Sequence, residues 1–298
     1  MRLTIVSGLS GSGKSVALNM LEDLAFYCID NVPATLLDSL VSEIIATQDP
    51  LYNNLAVGLD ARNRATDLES LPDLIRSLQR QSVHCEIIFL HADTDILLKR
   101  YRETRRVHPL RSEGIDLRNA IERERELLGP VTYSADLVID TTQTSVSELR
   151  ELIGSRVGER ETPGLSILIE SFGYKHGLPV DADFVFDLRC LPNPYWDLSM
   201  RPLTGKDEKV IEYLESYDSV QRMHADILDF LQRRIPEYVE SNRNYLTIGI
   251  GCTGGQHRSV YMVDKIVHSL SKDRNHVLAR HSEVLTSDGN TAGNPTTT

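Results

Sequence analysis

The sequence predicts two α/β domains in tandem. Three observations carry that prediction. A complete glycine-rich phosphate loop follows an apolar, β-branched run at the start of the chain. Short apolar runs then alternate with stretches of helical spacing. A polar, glycine-containing segment near residue 160 interrupts the alternation, which afterwards begins again. With 298 residues and 41% hydrophobic content, the chain is long enough for two cores.

The elements follow in order. Leu3 to Ser7 reads as a strand, and Ser15 to Glu22 has helix-forming spacing. Phe26-Tyr27-Cys28-Ile29-Asp30-Asn31 is a short strand with a polar tip, followed after Pro33 by a helix through Leu36, Leu37, Leu40, Ile44 and Ile45. Leu55 to Asp60, Glu86 to Leu90 and Asp136 to Asp140 are further strands with helical patterns between them, so the first sheet is expected to be parallel and covered on both faces. A helix through Val146, Leu149, Leu152 and Ile153 opens with Thr, Ser and Glu capping residues. The boundary is placed in the polar stretch Gly154 to Gly164, giving one domain over 1–157 and a second over 164–284. In the second domain Leu165 to Glu170, Phe184 to Leu188 and Tyr245 to Ile250 are strands. A long helical pattern from Val220 to about Ile235 is expected to break or kink at Pro236, and another helix follows the third strand. Residues 285–298, rich in Thr, Asn and Gly, are expected to be a disordered tail.

The strongest chemical signal is Gly8-Leu9-Ser10-Gly11-Ser12-Gly13-Lys14-Ser15. Strand before and helix after, its glycines let backbone N–H groups and the helix N-terminus face phosphate oxygens. Lys14 is then expected to reach the β- and γ-phosphates and Ser15 to ligate Mg²⁺, which makes these two the catalytic candidates. Asp60 ends a strand and leads into Ala61-Arg62-Asn63, a usual place for the acid that supports Mg²⁺ through water; Asp30, at another strand end, competes for the role and ranks second. Arg100, Arg102, Arg105 and Arg106 precede His108-Pro109 where phosphotransfer enzymes keep arginines that close over phosphates.

A second anion loop, Cys252-Thr253-Gly254-Gly255-Gln256-His257-Arg258-Ser259, lies between a strand and a helix and matches the C-x5-R-S arrangement of cysteine phosphatases. Ile250-Gly251 stands where those enzymes carry a histidine, so binding without chemistry is the favoured reading. The loops around Lys175-His176 and Arg189 to Asp197 are expected to converge there, with Tyr195 or Trp196 as a stacking surface.

A formal charge of −11 disfavours broad, non-specific nucleic-acid binding. A loose basic patch through Lys265, His268, Lys272, Arg274, Arg280 and His281 remains, readable as a solvated helix face or as an RNA contact. Cys28, Cys85, Cys190 and Cys252 form no C-x-x-C pair and read as reduced thiols. No run is long enough to span a bilayer, and the phosphate loop begins too early for a signal peptide; a cytoplasmic protein is expected.

Gly8 to Ser15, Phe26 to Asn31, Asp60 to Asn63, Tyr101 to Pro109, Glu170 to Gly177, Leu191 to Asp197 and Gly251 to Ser259 together resemble the RapZ family of P-loop nucleotide-binding proteins, the RNase adapter group, along nearly the whole chain. The resemblance implies a kinase-like N-terminal domain that binds and slowly hydrolyses ATP and GTP, with Gly8 to Ser15 as the ATP loop and Asp60, Ala61, Arg62 and Asn63 as a GTP motif. It implies an oligomer and a C-terminal domain resembling a phosphofructokinase subdomain. That domain would hold a phosphorylated small molecule among residues matching His176, Tyr195, Thr253, Gly254, Gly255, His257 and Arg258. In enterobacterial members the ligand is glucosamine-6-phosphate, and the same domain presents a small RNA to an endoribonuclease. Two features depart from the pattern: the tail after Ser287 is not basic, so part of the RNA footprint is missing, and Tyr195 replaces the histidine of an Asn-Pro-His-Trp loop. Three readings follow: a nucleotide-dependent regulator with ATPase and GTPase activity, an RNA-binding adapter, and a small-molecule kinase or cysteine phosphatase.

Overall fold

The structure is a computed structural model, and it describes residues 1–111, 115–158, 164–241 and 243–284. The expected tail at 285–298 lies outside the described residues. The chain forms two compact units, one of Met1–Gly164 with Arg243–Tyr245 and one of Leu165–Asn242 with Leu246–Thr298.

The first unit is built on five strands, β1 (Arg2–Gly8), β2 (Tyr27–Ile29), β3 (Asn54–Gly58), β4 (His84–His91) and β5 (Leu137–Asp140). They lie in the order β2-β3-β1-β4-β5 and every pairing is parallel, with Leu3 beside Leu55 on one side and beside Cys85 on the other. A parallel sheet needs crossovers, and these are the helices α1 (Lys14–Asp23), α2 (Leu37–Thr47), α3 (Ala65–Glu69), α4 (Leu71–Arg80), α5 (Thr94–Thr104), α6 (Leu117–Leu127) and α7 (Gly129–Tyr133), with α8 (Val146–Ile153) following the last strand. Covered on both faces, β1 and β4 are buried almost end to end, and Leu3, Ile5, Leu55, Val57, Ile87 and Phe89 form the middle of the core. The strand order reverses at β1, whose neighbours are reached by crossovers of opposite direction. The loop after β1 therefore opens at the switch point where α/β sheets collect ligands. The expected capping residues do cap α8: the Ser145 hydroxyl accepts from the Glu148 N–H while the Glu148 carboxylate accepts from the Ser145 N–H.

The second unit has four strands, β6 (Ser166–Gly173), β7 (Phe184–Asp187), β8 (Tyr245–Cys252) and β9 (Val277–His281), in the order β7-β8-β6-β9. The β6–β9 and β7–β8 pairings are parallel. The helices are α9 (Glu208–Glu215), α10 (Asp218–Glu240) and α11 (Arg258–Leu270). Two expectations need correction. Pro236 does not end the long helix, because α10 runs through it, and Ile227, Leu231 and Ile235 on the buried face pack the segment leading up to the proline. The basic patch is not one helix face: Arg280 and His281 belong to β9, an edge strand that the sequence pattern did not predict.

Gly8 has a left-handed φ of +153°, and a Cβ there would stand 2.4 Å from the Leu90 carbonyl oxygen. That oxygen accepts the Leu9 N–H at 3.1 Å, so it cannot retreat without opening the loop. Gly8→Ala is accordingly expected to destabilise the protein by about 2 kcal/mol or more, read as a fall in the midpoint of thermal or urea unfolding.

Candidate functional site

The loop between β1 and α1 exposes its amides because its carbonyls are held from behind. The Arg100 guanidinium, on α5, donates to the Gly11 carbonyl at 3.0 Å, and the Thr141 hydroxyl donates to the Ser12 carbonyl at 2.8 Å. Arg100 also donates to the Thr141 carbonyl, which ties the two clamps together. The Ser12 N–H is used inside the loop on the Leu9 carbonyl at 2.9 Å. Gly13, at φ +109°, turns the chain into α1, whose first amides at Lys14 and Ser15 have no carbonyl one turn back to bond. Those amides and the positive end of the helix face the same opening, a geometry suited to phosphate. The Ser12 hydroxyl is buried with no protein partner, an orphan that a ligand oxygen would satisfy, while Ser15 is exposed.

Lys14 is mostly buried, and its ammonium is 3.0 Å from Asp60 and 3.6 Å from Asp30. Asp60 lies just past β3. Arg62 grips it bidentately, Nε donating to Oδ1 at 3.1 Å and Nη2 to Oδ2 at 2.6 Å. Burial pushes the Asp60 carboxyl up, but the Arg62 hydrogen bonds and the Lys14 charge outweigh it and hold the group at about 2. Asn63 has a different part: its side-chain oxygen accepts the Ala34 N–H at 2.7 Å and its amide donates to the Asp60 carbonyl, pinning two strand-end loops together. Ala61 is buried. Of the arginines expected to close over phosphates, Arg100 is spent on the loop backbone, whereas Arg102, Arg105 and Arg106 are exposed.

Sequence reasoning missed three groups here. Thr141, His108 and Glu124 come from distant elements, and Glu124 sits 114 positions after the loop residue it bonds. Among the described residues no three His, Cys, Asp or Glu side chains gather as a metal site.

In the second unit the loop after β8 is tightly packed. Gly255, at φ +74°, comes so close to the neighbouring strand end that a Cβ would lie 2.7 Å from the Gly173 nitrogen. The Lys175 N–H donates to the Thr253 carbonyl at 3.3 Å, which brings the turn carrying His176 beside Thr253, Gly254 and Gly255. His176 itself is exposed and pairs with Glu283 at 3.0 Å. His257 and Arg258 are turned into the protein. The His257 ring bonds the Met200 carbonyl at 2.9 Å, and Arg258 donates to the carbonyls of Arg189 at 3.1 Å and Leu191 at 2.9 Å and to the Thr253 hydroxyl at 3.3 Å, leaving its buried Nε without a partner. Tyr195 is half exposed, with the Arg201 guanidinium 4.7 Å from its ring centre. Cys252 is buried. Burial pushes its thiol up, but contacts from the Ser259 hydroxyl and the Gly255 N–H, both at 3.2 Å, together with the Arg258 charge, bring it below its ordinary value.

Comparison with known proteins covers both units. The RapZ-like N-terminal domain matches residues 1–160 and the RapZ C-terminal domain matches residues 165–285. A nucleotide-binding protein of Methylococcus capsulatus is 49% identical over 95% of this chain and 96% of its own length. One from Nitrosococcus oceani is 49% identical over 95% of this chain and all of its own. Among solved structures, the shikimate kinase of Bacteroides thetaiotaomicron overlays on 51% of this chain and 93% of its own at 15% identity, with a TM-score of 0.34.

The depressed Asp60 carboxyl links stability to pH. Its ordinary value is 3.8 and its value in the fold about 2, so its contribution is present above pH 4 and is lost as pH falls towards 2. Arg62, its main partner, is half exposed and water screens the pair, so the contribution is about 1 kcal/mol. Asp60→Asn is expected to remove that part of the acid sensitivity, measured by urea unfolding between pH 5 and pH 2; an unchanged slope would show that Asp60 is not the titrating group.

Proposed function

The chain belongs to the RapZ family, and on that footing we propose that it is a nucleotide-binding regulatory protein that binds ATP and GTP at Gly8 to Ser15 and hydrolyses them slowly. The observation that carries this reading is the loop with its carbonyls clamped from behind, its helix amides and Lys14 at the opening, and the Ser12 hydroxyl buried without a protein partner. The amides of Lys14 and Ser15 receive phosphate oxygens. Lys14 leaves Asp60 for the β- and γ-phosphates, and Ser15 would hold a Mg²⁺ ion, which when bound would supply neutralising charge. Asp60 stays ionised under Arg62 and would orient water beside that ion. In the assignment of domains, 1–157 is the nucleotide domain and 164–284 the ligand domain.

For the second domain we propose a phosphorylated small molecule as ligand, held at Thr253 to Gly255 beside His176. The support is the glycine-built loop at the head of α11 and the unpartnered Arg258 Nε behind it. Arg258 and His257 act there chiefly by fixing the loop, since their other polar atoms already bond backbone carbonyls.

Phosphate release from ATP and GTP without any acceptor tests the nucleotide reading. Lys14→Ala is expected to lower release by about two orders of magnitude or more. Cys252→Ser is expected to leave it unchanged. Release that survives Lys14→Ala but not Cys252→Ser would move the chemistry to the second loop, and release only with an added small-molecule acceptor would make the protein a kinase.

A further inference from the structure

Glu124, on α6, is a carboxylate with no solvent exposure, and three donors converge on it. The Ser10 N–H donates to Oε2 at 2.9 Å, the Ser10 hydroxyl donates to Oε1 at 2.6 Å, and the His108 Nε2 lies 3.0 Å from Oε2. The His108 ring is equally buried, and its Nδ1 accepts the Leu110 N–H at 3.1 Å. One ring nitrogen accepting fixes the tautomer: the proton is on Nε2, and His108 donates to Glu124. All three partners thus donate, a set that a carboxylate serves with both oxygens and without turning any of them. The Tyr101 ring completes the surround, its centre 5.3 Å from that of the His108 ring.

Ser10 is the third residue of the phosphate loop. With its N–H committed to Glu124, with Leu9 bonded to Leu90 and Ser12 to Leu9, the amides of Leu9, Ser10 and Ser12 are satisfied by protein. Gly11 is exposed, and the segment from Gly13 to Ser15 faces outward through the first amides of α1. His108 lies between Arg106 and Arg111, so the same carboxylate also ties down the arginine-bearing segment after α5. We propose that Glu124, oriented by His108, is the positioning residue of the nucleotide loop: it holds Ser10 so that the cradle is formed before any phosphate arrives, and it links the loop to residues 105–111. A buried charge placed close to a polyanion site is costly on Coulomb grounds alone, so its benefit must lie in geometry. This inference rests on the reading of Gly8 to Ser15 as a nucleotide loop.

The test is calorimetric titration of the full chain with Mg²⁺-ATP, alongside far-UV circular dichroism and thermal melts without nucleotide. Glu124→Gln keeps the shape but removes the charge that strengthens all three hydrogen bonds and makes the Ser10 hydroxyl turn round to accept from the new N–H₂, and it is expected to weaken ATP binding about tenfold. His108→Gln retains an N–H that reaches Glu124 and is expected to bind ATP within about twofold of wild type, whereas His108→Leu removes the donor and is expected to lose about fivefold. A folded Glu124→Gln protein with wild-type affinity would overturn the proposal. Should Glu124→Gln not fold, the His108 pair decides: rescue by Gln and loss with Leu supports it, and equal affinities overturn it. Wild type that binds neither ATP nor GTP overturns the nucleotide reading itself, and this inference with it.

Discussion

A cradle for anions made of backbone works only if its carbonyls are kept out of it, because each peptide unit carries a donor and an acceptor of equal strength. In the loop after β1 that constraint is met by Arg100 and Thr141, which take the carbonyls of Gly11 and Ser12 from the protein side. Much of the first unit is arranged around it. Arg100 must come from the crossover after β4, and Thr141 must follow β5, so the two strands on one flank of β1 supply the clamps. The other flank supplies charge: the segment just past β3 carries Asp60, and the turn after β2 carries Asp30, to Lys14. The strand order therefore sorts support from chemistry.

The same constraint is met by different means in the second unit. There Gly255 and Gly173 touch backbone to backbone, and Arg258 is surrounded by the carbonyls of Arg189 and Leu191. An arginine that a motif would assign to a ligand is here a brace between two loops. Cys252 sits beneath, its sulfur bonded by Ser259 and Gly255 and its thiol made more acidic by them, so the loop stabilises negative charge even on its own residue.

What could be read from the sequence was local. β1, the phosphate loop and α1 occupy one contiguous stretch with a fixed pattern, and the Ser145 cap of α8 is three residues from its partner Glu148. Asp60 was legible because an apolar strand ended on it. β9 was not, because its five residues follow a polar run and alternate only weakly in burial. The orientation of Arg100, His257 and Arg258 was equally out of reach, since spacing places a residue on a helix but does not say whether a carbonyl tens of positions away will claim it. Glu124 is the extreme case: it reads as one more charged residue in an amphipathic helix, and only the crossover after α5 brings it to Ser10.

The partners of Lys14 bear on which anions the first loop can accept. Its ammonium already has Asp60 at hydrogen-bonding distance and Asp30 a little beyond. A small ambient anion such as chloride or free phosphate would have to compete for it against two carboxylates fixed in place, with few other contacts to offer in return. A chain of phosphates can engage the helix amides first and reach Lys14 second, so the exchange is intramolecular by the time it occurs. On the nucleotide reading, the resting ion pair thus favours ligands that bring several charges at once over single small anions.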